Sequence, residues 1–251
     1  MQAKGVSRYL ANIRNRLVNQ RFRFLFHPGE WTPDIEGTVE KDLDDLLASW
    51  IGHDKPITII DLSGVPAEIM SIVTGAVIRI VYDALIWGQN LPVGGRKQPL
   101  LLVLEEAHNY LHASMDSVAS RTVRTIAKEG RKYGVGLLII SQRPSELDST
   151  ILSQCGTTIA LRMTNSQDRG HVKAFIQDDL SDIMSLLPSL RTGEGLILGE
   201  AVHIPSRVRF DAANRQAKNS DPNVTKAWKS PLPSTDNYKT AVSLWRNGKF
   251  L

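Results

Sequence analysis

Apolar residues along this chain fall into two patterns, short unbroken runs and longer stretches with helical spacing. The unbroken runs read as buried strands and the spaced ones as amphipathic helices. Phe22–Phe26 is a short strand candidate. Gly37–Trp50 reads as a helix, with Val39, Leu43, Leu46 and Leu47 on one face. Pro56–Leu62 holds Ile57, Ile59 and Ile60 and reads as a second strand, followed by a long helix over Pro66–Trp87 with a turn-rich exit at Asn90–Gly95. A strand at 100–104, a helix over Ser117–Tyr133, and strands at Gly134–Ser141 and Thr157–Leu161 follow. Short helices near 166–177 and 180–187 lead to final strands near 194–198 and 202–210. Strands separated by helical stretches predict an α/β fold with a mainly parallel sheet flanked by helices.

Beyond Asp211 the pattern fades. Asn, Ser, Pro and Lys dominate through Asp236, and Pro222, Pro231 and Pro233 interrupt any periodicity, so an extended tail is expected. Tyr238–Trp245 has the spacing of a short amphipathic helix. Trp228 and Trp245 are costly to leave in water, so the tail is expected to dock, on its own domain or on a neighbouring subunit. The divisions are 1–21 as a basic lead-in, 22–211 as the core and 212–251 as the tail.

Composition changes this picture little. An apolar content of 42% over 251 residues suffices for a sizeable core. No apolar stretch approaches the roughly 20 residues that span a bilayer, and no signal-peptide pattern opens the chain, so a soluble cytoplasmic protein without a membrane partner is expected. Cys155 is the single cysteine; it excludes an internal disulfide and reads as an inert core thiol. The net charge of +4 is mild but uneven. Lys4, Arg8, Arg14, Arg16, Arg21 and Arg23 crowd the start with no acid among them, which suits either nucleic acid, an acidic partner, or plain solvation.

The chemistry concentrates where the run Leu100–Leu104 meets Glu105 and Glu106. Paired acids at the carboxyl end of a buried strand lie at the edge where open α/β sheets bind ligands. This is the layout of a Walker B strand. Glu105 would hold Mg²⁺ through its water shell, and Glu106 would polarise the attacking water; the plain alternative is two surface acids favoured by the dipole of a following helix. Ser141-Gln142-Arg143-Pro144 closes the next strand, so Gln142 sits where an amide can sense a γ-phosphate, with Arg143 a further nucleotide contact. Arg121, Arg124 and Lys128 share one face of the intervening helix with Arg131. Their mutual repulsion suggests an anionic partner, either a nucleotide or nucleic acid, or else a solvated basic face. Arg131, just before a buried strand, is placed to act on a neighbouring subunit's ATP as an arginine finger. His108 and His112 are four apart, but no third ligand accompanies them, and His108 reads better as a link from the acid pair to nearby polar groups. A Gly-x-Ser-x-Gly elbow is missing. So is Gly-x-x-x-x-Gly-Lys-[Ser/Thr]; the one Gly-Lys pair is Gly248-Lys249, followed by Phe250.

Several segments taken together resemble the catalytic domain of HerA-type ATPases, in the FtsK–HerA branch of the RecA-like superfamily. They are Phe24–Trp31, Asp54–Pro66, Leu102–His108, Ala127–Gly134, Ser141–Pro144, Leu152–Cys155 and Gly199–Val202, and they span roughly residues 20 to 210. The resemblance implies a RecA-like P-loop NTPase core, incomplete on its N-terminal side. It also implies a homo-hexameric ring that hydrolyses ATP with Mg²⁺ and moves duplex DNA, working with a nuclease or a sirtuin-like effector in DNA-end processing or defence against phage. Glu105 would be the Mg²⁺-side acid, Glu106 the catalytic glutamate, Gln142 the sensor and Arg131 the finger. The tail resembles an extension that braces the adjacent subunit. The chain departs from the family in lacking the Walker A segment, expected before Met1, and in having Glu rather than the commoner Asp at 105. ATPase activity is therefore expected only once that segment is supplied. The rival readings are a non-catalytic ring scaffold or effector platform, which would not bind ATP, and a DNA-binding module, which would bind DNA in a salt-sensitive way without nucleotide.

Overall fold

A computed structural model describes residues 2–173, 181–211, 223–229 and 236–247. The chain forms two compact units, Met1–Glu68 with Lys218–Leu251, and Ile69–Ala217.

The first unit opens with α1 (Gln2–Val18), a 3-10 turn at Gln20–Phe22 and α2 (Arg23–Phe26). The expected strand at Phe22–Phe26 is thus helical. The Asn19 side chain caps the turn by accepting from Arg21 N–H, and the Phe22 and Phe26 rings, four residues apart, meet at 6.4 Å between centroids. That spacing joins side chains on a helix and not along a strand. The next helix, α3 (Leu43–Ile51), begins later than its apolar spacing implied. Asp34 takes the Glu36 and Thr38 N–H groups into a tight turn, and Asp42 with Asp45 forms a capping box that sets the first helical residue. Pro56–Leu62 is not a strand. Ile57 and Ile59 are 74% and 86% exposed, and among the described residues no strand ladder pairs with this segment. β-branched composition favours extended backbone, but a strand exists only by pairing.

The second unit carries α4 (Ala67–Trp87), β1 (Leu100–Leu104), α5 (Val118–Glu129), β2 (Val135–Ile139), α6 (Ser149–Leu152) and β3 (Thr157–Leu161). It continues through α7 (Ser166–Lys173) and α8 (Ser181–Met184) to β4 (Glu194–Gly199) and β5 (Ser206–Arg209). The helix expected to run to 177 is described only as far as Lys173. The class is α/β. β1 and β2 pair in parallel, with Leu100 opposite Val135 and Leu104 opposite Ile139. β3, β4 and β5 form an antiparallel sheet, which the alternation of strands and helices did not announce. Leu196 and Leu198 of β4 are buried with Leu187 and Leu190 in the apolar cluster behind this sheet.

α4 corrects the reading that no segment is long and apolar enough to cross a membrane, since its 21 residues meet that test by length and composition. Much of it serves as a core helix. Ile78, Val81, Tyr82 and Leu85 are buried, and Tyr82 meets Tyr133 edge-on. Arg79 and Asp83 form an ion pair along it. At Gly75 a Cβ would lie 2.5 Å from the Ala119 backbone nitrogen, so α4 and α5 approach closely through a missing side chain. Cys155 is another correction, being exposed in the turn before β3 and not in the core.

Two further helices, α9 (Val224–Trp228) and α10 (Asp236–Asn247), belong to the first unit. α10 contains the expected Tyr238–Trp245 helix. Trp228 and Trp245 are 85% and 82% exposed. Most of the expected extended stretch after Asp211 lies outside the described residues.

Candidate functional site

The hydrogen-bond ladder between β1 and β2 shows how the two acids are presented. In a parallel pair, one residue bonds to the two residues flanking its partner. Ile140 N–H donates to Leu104 O at 3.0 Å, so its carbonyl should receive the N–H of residue 106. It receives Ala107 N–H instead, at 3.0 Å. Glu105 and Glu106 therefore share one ladder position, and the extra residue forms a bulge. Glu106 takes it up with φ 47° and ψ 44°, the one left-handed non-glycine among the described residues. That backbone costs a non-glycine residue roughly 1–2 kcal/mol. Bulges re-aim side chains at the ends of strands, and this one breaks the plain alternation of the two acids at Glu106, the acid that Gln142 contacts.

Around the bulge the polar groups converge. The Gln142 amide donates to Glu106 Oε1 at 2.7 Å. His108 Nδ1 lies 3.4 Å from Glu106 Oε2 and 3.1 Å from Ser141 Oγ. Ser141 Oγ also accepts Arg143 N–H. Arg143 itself turns to Glu146 at 2.8 Å. The structure thus brings together Glu106, Gln142, His108 and Ser141, while the Glu105 side chain is exposed beside them.

Three supporting residues were missed in the sequence. The Tyr110 hydroxyl donates to the Glu105 carbonyl at 2.9 Å and pins the bulge from below. Burial, and then the charges of Glu105 and Glu106, push this phenol up to about 12. The buried carboxylate of Asp168, at the start of α7, accepts both the N–H (3.2 Å) and the hydroxyl (2.6 Å) of Ser145. It holds the turn that follows Gln142. Tyr110 carries a local signal, four residues beyond Glu106; Ser145 and Asp168 have none, because their contact joins segments 23 residues apart. A pH prediction follows for Tyr110. Its raised folded pKa means that its stabilisation is fully present below the unfolded value of about 10 and is lost as pH rises through about 12. Urea unfolding should show Tyr110→Phe to be about 1 kcal/mol less stable than the parent at neutral pH, with the gap closing above pH 10. A gap that is constant with pH would contradict this.

The basic face of α5 is arranged differently from the expectation built on repulsion. Asp116, just outside the helix, accepts from both Arg121 and Arg124, and Arg124 also lies 3.4 Å from Asp148. The hydrogen bonds from Arg121 and then Arg124 hold the Asp116 carboxyl below the usual carboxylate range. Two of the three cations thus have an anion within the chain, while Lys128 is exposed. Arg131 lies in the 3-10 turn Gly130–Tyr133 that leads into β2, exposed beside Pro99, Leu100 and Gly134 at the start of the strands. Five strand residues at about 3.3 Å each put it some 17 Å from the acids. It does not join the Glu106 cluster of its own chain.

The donor set suits a hydrated divalent cation. Mg²⁺ keeps several waters and needs only one or two carboxylates besides phosphate oxygens. Among the described residues no three His, Cys, Asp or Glu side chains gather to hold a bare metal. His112 instead turns to Ser114.

Residues 86–212, about half the chain, match the family described as helicase HerA-like C-terminal. Relatives include the DNA double-strand break repair helicases HerA of Sulfolobus acidocaldarius and of Sulfurisphaera tokodaii. The first is 34% identical over 69% of this chain and 35% of its own length. The second is 34% identical over 74% of this chain and 38% of its own length. The chain thus spans little more than a third of these relatives. A similar solved structure is B204, the DNA-packaging ATPase from Sulfolobus turreted icosahedral virus, with a TM-score of 0.46 and 13% identity over 62% of this chain and 74% of that one.

Proposed function

From the premise that the chain belongs to the helicase HerA-like C-terminal family, we propose that it is the water-activating half of a DNA-translocating ATPase site. The observation that carries this reading is the bulge at Glu105–Glu106, with the Gln142 amide on the Glu106 carboxylate. Strain at a non-glycine residue persists where the surroundings enforce it, and such positions cluster at active sites.

In this reading ATP with Mg²⁺ supplies the phosphoryl group and the charge that offsets its negative oxygens. Glu105 holds the hydrated cation through its waters. Glu106 orients a water and accepts its proton at the carboxylate. Gln142 reports on the γ-phosphate, and Arg143 adds a further contact on leaving its present partner, Glu146. Arg131 serves the site of an adjacent copy, which accounts for its distance from its own acids. A ring of six such copies around duplex DNA, in the cytoplasm and coupled to a nuclease or sirtuin-like effector, is the assembly this implies. Lys128 is the cation of α5 best placed for DNA, Arg121 and Arg124 being engaged by Asp116. Residues 212–251 serve as a brace on the neighbouring subunit. Phosphate binding needs a backbone nest and a lysine, which a Gly-Lys-[Ser/Thr] loop joined to this chain would provide.

The test is hydrolysis by a longer protein that joins this chain to a Gly-Lys-[Ser/Thr] loop, measured with and without duplex DNA alongside the mass of the assembly. The expected result is a multimer whose ATP turnover rises on DNA. A multimer that neither binds nor turns over ATP would instead make the chain a ring scaffold or effector platform.

A further inference from the structure

His108 is held more firmly than a surface histidine. Its side chain is 13% exposed. The preceding residue, Ala107, is fully buried and tied to Ile140 by its backbone N–H. One ring nitrogen, Nδ1, faces both Glu106 Oε2 and Ser141 Oγ. A carboxylate only accepts and Ser141 Oγ can accept as well, so the tautomer with the proton on Nδ1 is the one that suits both neighbours. Glu106 then has a group beside each oxygen: the Gln142 amide hydrogen-bonds Oε1, and the imidazole, itself hydrogen-bonded to Ser141 Oγ, stands 3.4 Å from Oε2. Ser141, which the same ring touches, is the residue before Gln142.

We propose that His108 is a positioning residue: through Nδ1–H it fixes the rotamer of Glu106 and keeps that carboxylate aligned with Gln142. This rests on the reading of Glu106 as the water-activating acid, yet the arrangement itself exists without nucleotide. Without the imidazole, Glu106 at the tip of its bulge has one remaining side-chain partner and rotates away from Gln142 for part of the time.

The experiment is hydrogen exchange of the Gln142 side-chain amide, followed by nuclear magnetic resonance on this chain without nucleotide. Asparagine places an amide nitrogen where Nδ1 stood; glutamine places it near the position of Nε2. His108→Asn should keep the protection of the parent. His108→Ala and His108→Gln should lose it by on the order of tenfold, the worth of one hydrogen bond to a charged group. Equal protection in all variants, or His108→Asn behaving like His108→Ala, would overturn the proposal. Should the alanine variant fail to fold, the asparagine and glutamine pair decides alone. In the longer protein His108→Ala and His108→Gln should lower kcat with KM unchanged, and His108→Asn should restore it. Normal turnover by Glu106→Gln would sink the reading of Glu106 and leave the exchange pattern standing. An inactive Glu106→Gln with no exchange difference among the His108 variants would sink the positioning role alone.

Discussion

In a protein that joins this chain to a Gly-Lys-[Ser/Thr] phosphate-binding loop, Glu106→Gln is expected to reduce ATP hydrolysis by about 10²- to 10⁴-fold, the range for removing a general base. Nucleotide affinity stays close to that of the parent. The amide keeps the shape of the carboxylate and loses the ability to take a proton. It can still face Gln142, so the bulge and its surroundings persist, and thermal unfolding of the two proteins should nearly coincide. Steady-state turnover with equilibrium nucleotide binding checks both parts. Undiminished turnover would remove Glu106 from the reaction and return the acid pair to the role of surface charges beside a 3-10 turn. Glu105→Gln separates the two acids. It should weaken the dependence on Mg²⁺ more than it alters the rate at saturating metal, because Glu105 is exposed and the Gln142 bond goes to Glu106.

The second large effect belongs to Arg131. An arginine that stabilises transition-state charge is worth about 10³ to 10⁵ in rate, so Arg131→Ala should be almost as inactive as Glu106→Gln. The geometry makes a sharper demand than the loss of rate. Arg131 stands at the opposite end of a five-residue strand pair from Glu106, so in the proposed ring the two defects would reside in different interfaces. Mixing Arg131→Ala subunits with Glu106→Gln subunits should recover part of the activity, since some interfaces then pair an intact glutamate with an intact arginine. Mixtures that stay inactive at every ratio would remove the trans assignment. Destabilisation does not confuse this result, since Arg131 is exposed.

The strands at 100–104 and 157–161 were readable to the residue: Leu100–Leu104 is an unbroken apolar run ending at two acids, and Thr157–Leu161 is rich in β-branched residues and set off by Gly156 and Arg162. Phe22–Phe26 is interrupted by Arg23 and fits either periodicity, and the cap at Asn19 favours the helical one. Pro56–Leu62 failed for a different reason: its composition states a preference, and only a partner makes a strand. Glu106 and Gln142 could be set side by side because both close parallel neighbouring strands. The bulge between them could not be foreseen, since left-handed backbone is normally announced by glycine or asparagine and here falls on a glutamate. The basic face of α5 misled because its counter-charge, Asp116, lies before the helix and outside its periodicity.

The left-handed glutamate sets a backbone preference against a side-chain engagement. A glycine at 106 would release roughly 1–2 kcal/mol of backbone strain, but it would add freedom to the unfolded chain and remove the carboxylate that the Gln142 amide and the His108 ring approach. Position 106 is where the comfort of the main chain and the engagement of the side chain can be weighed against each other by a single substitution.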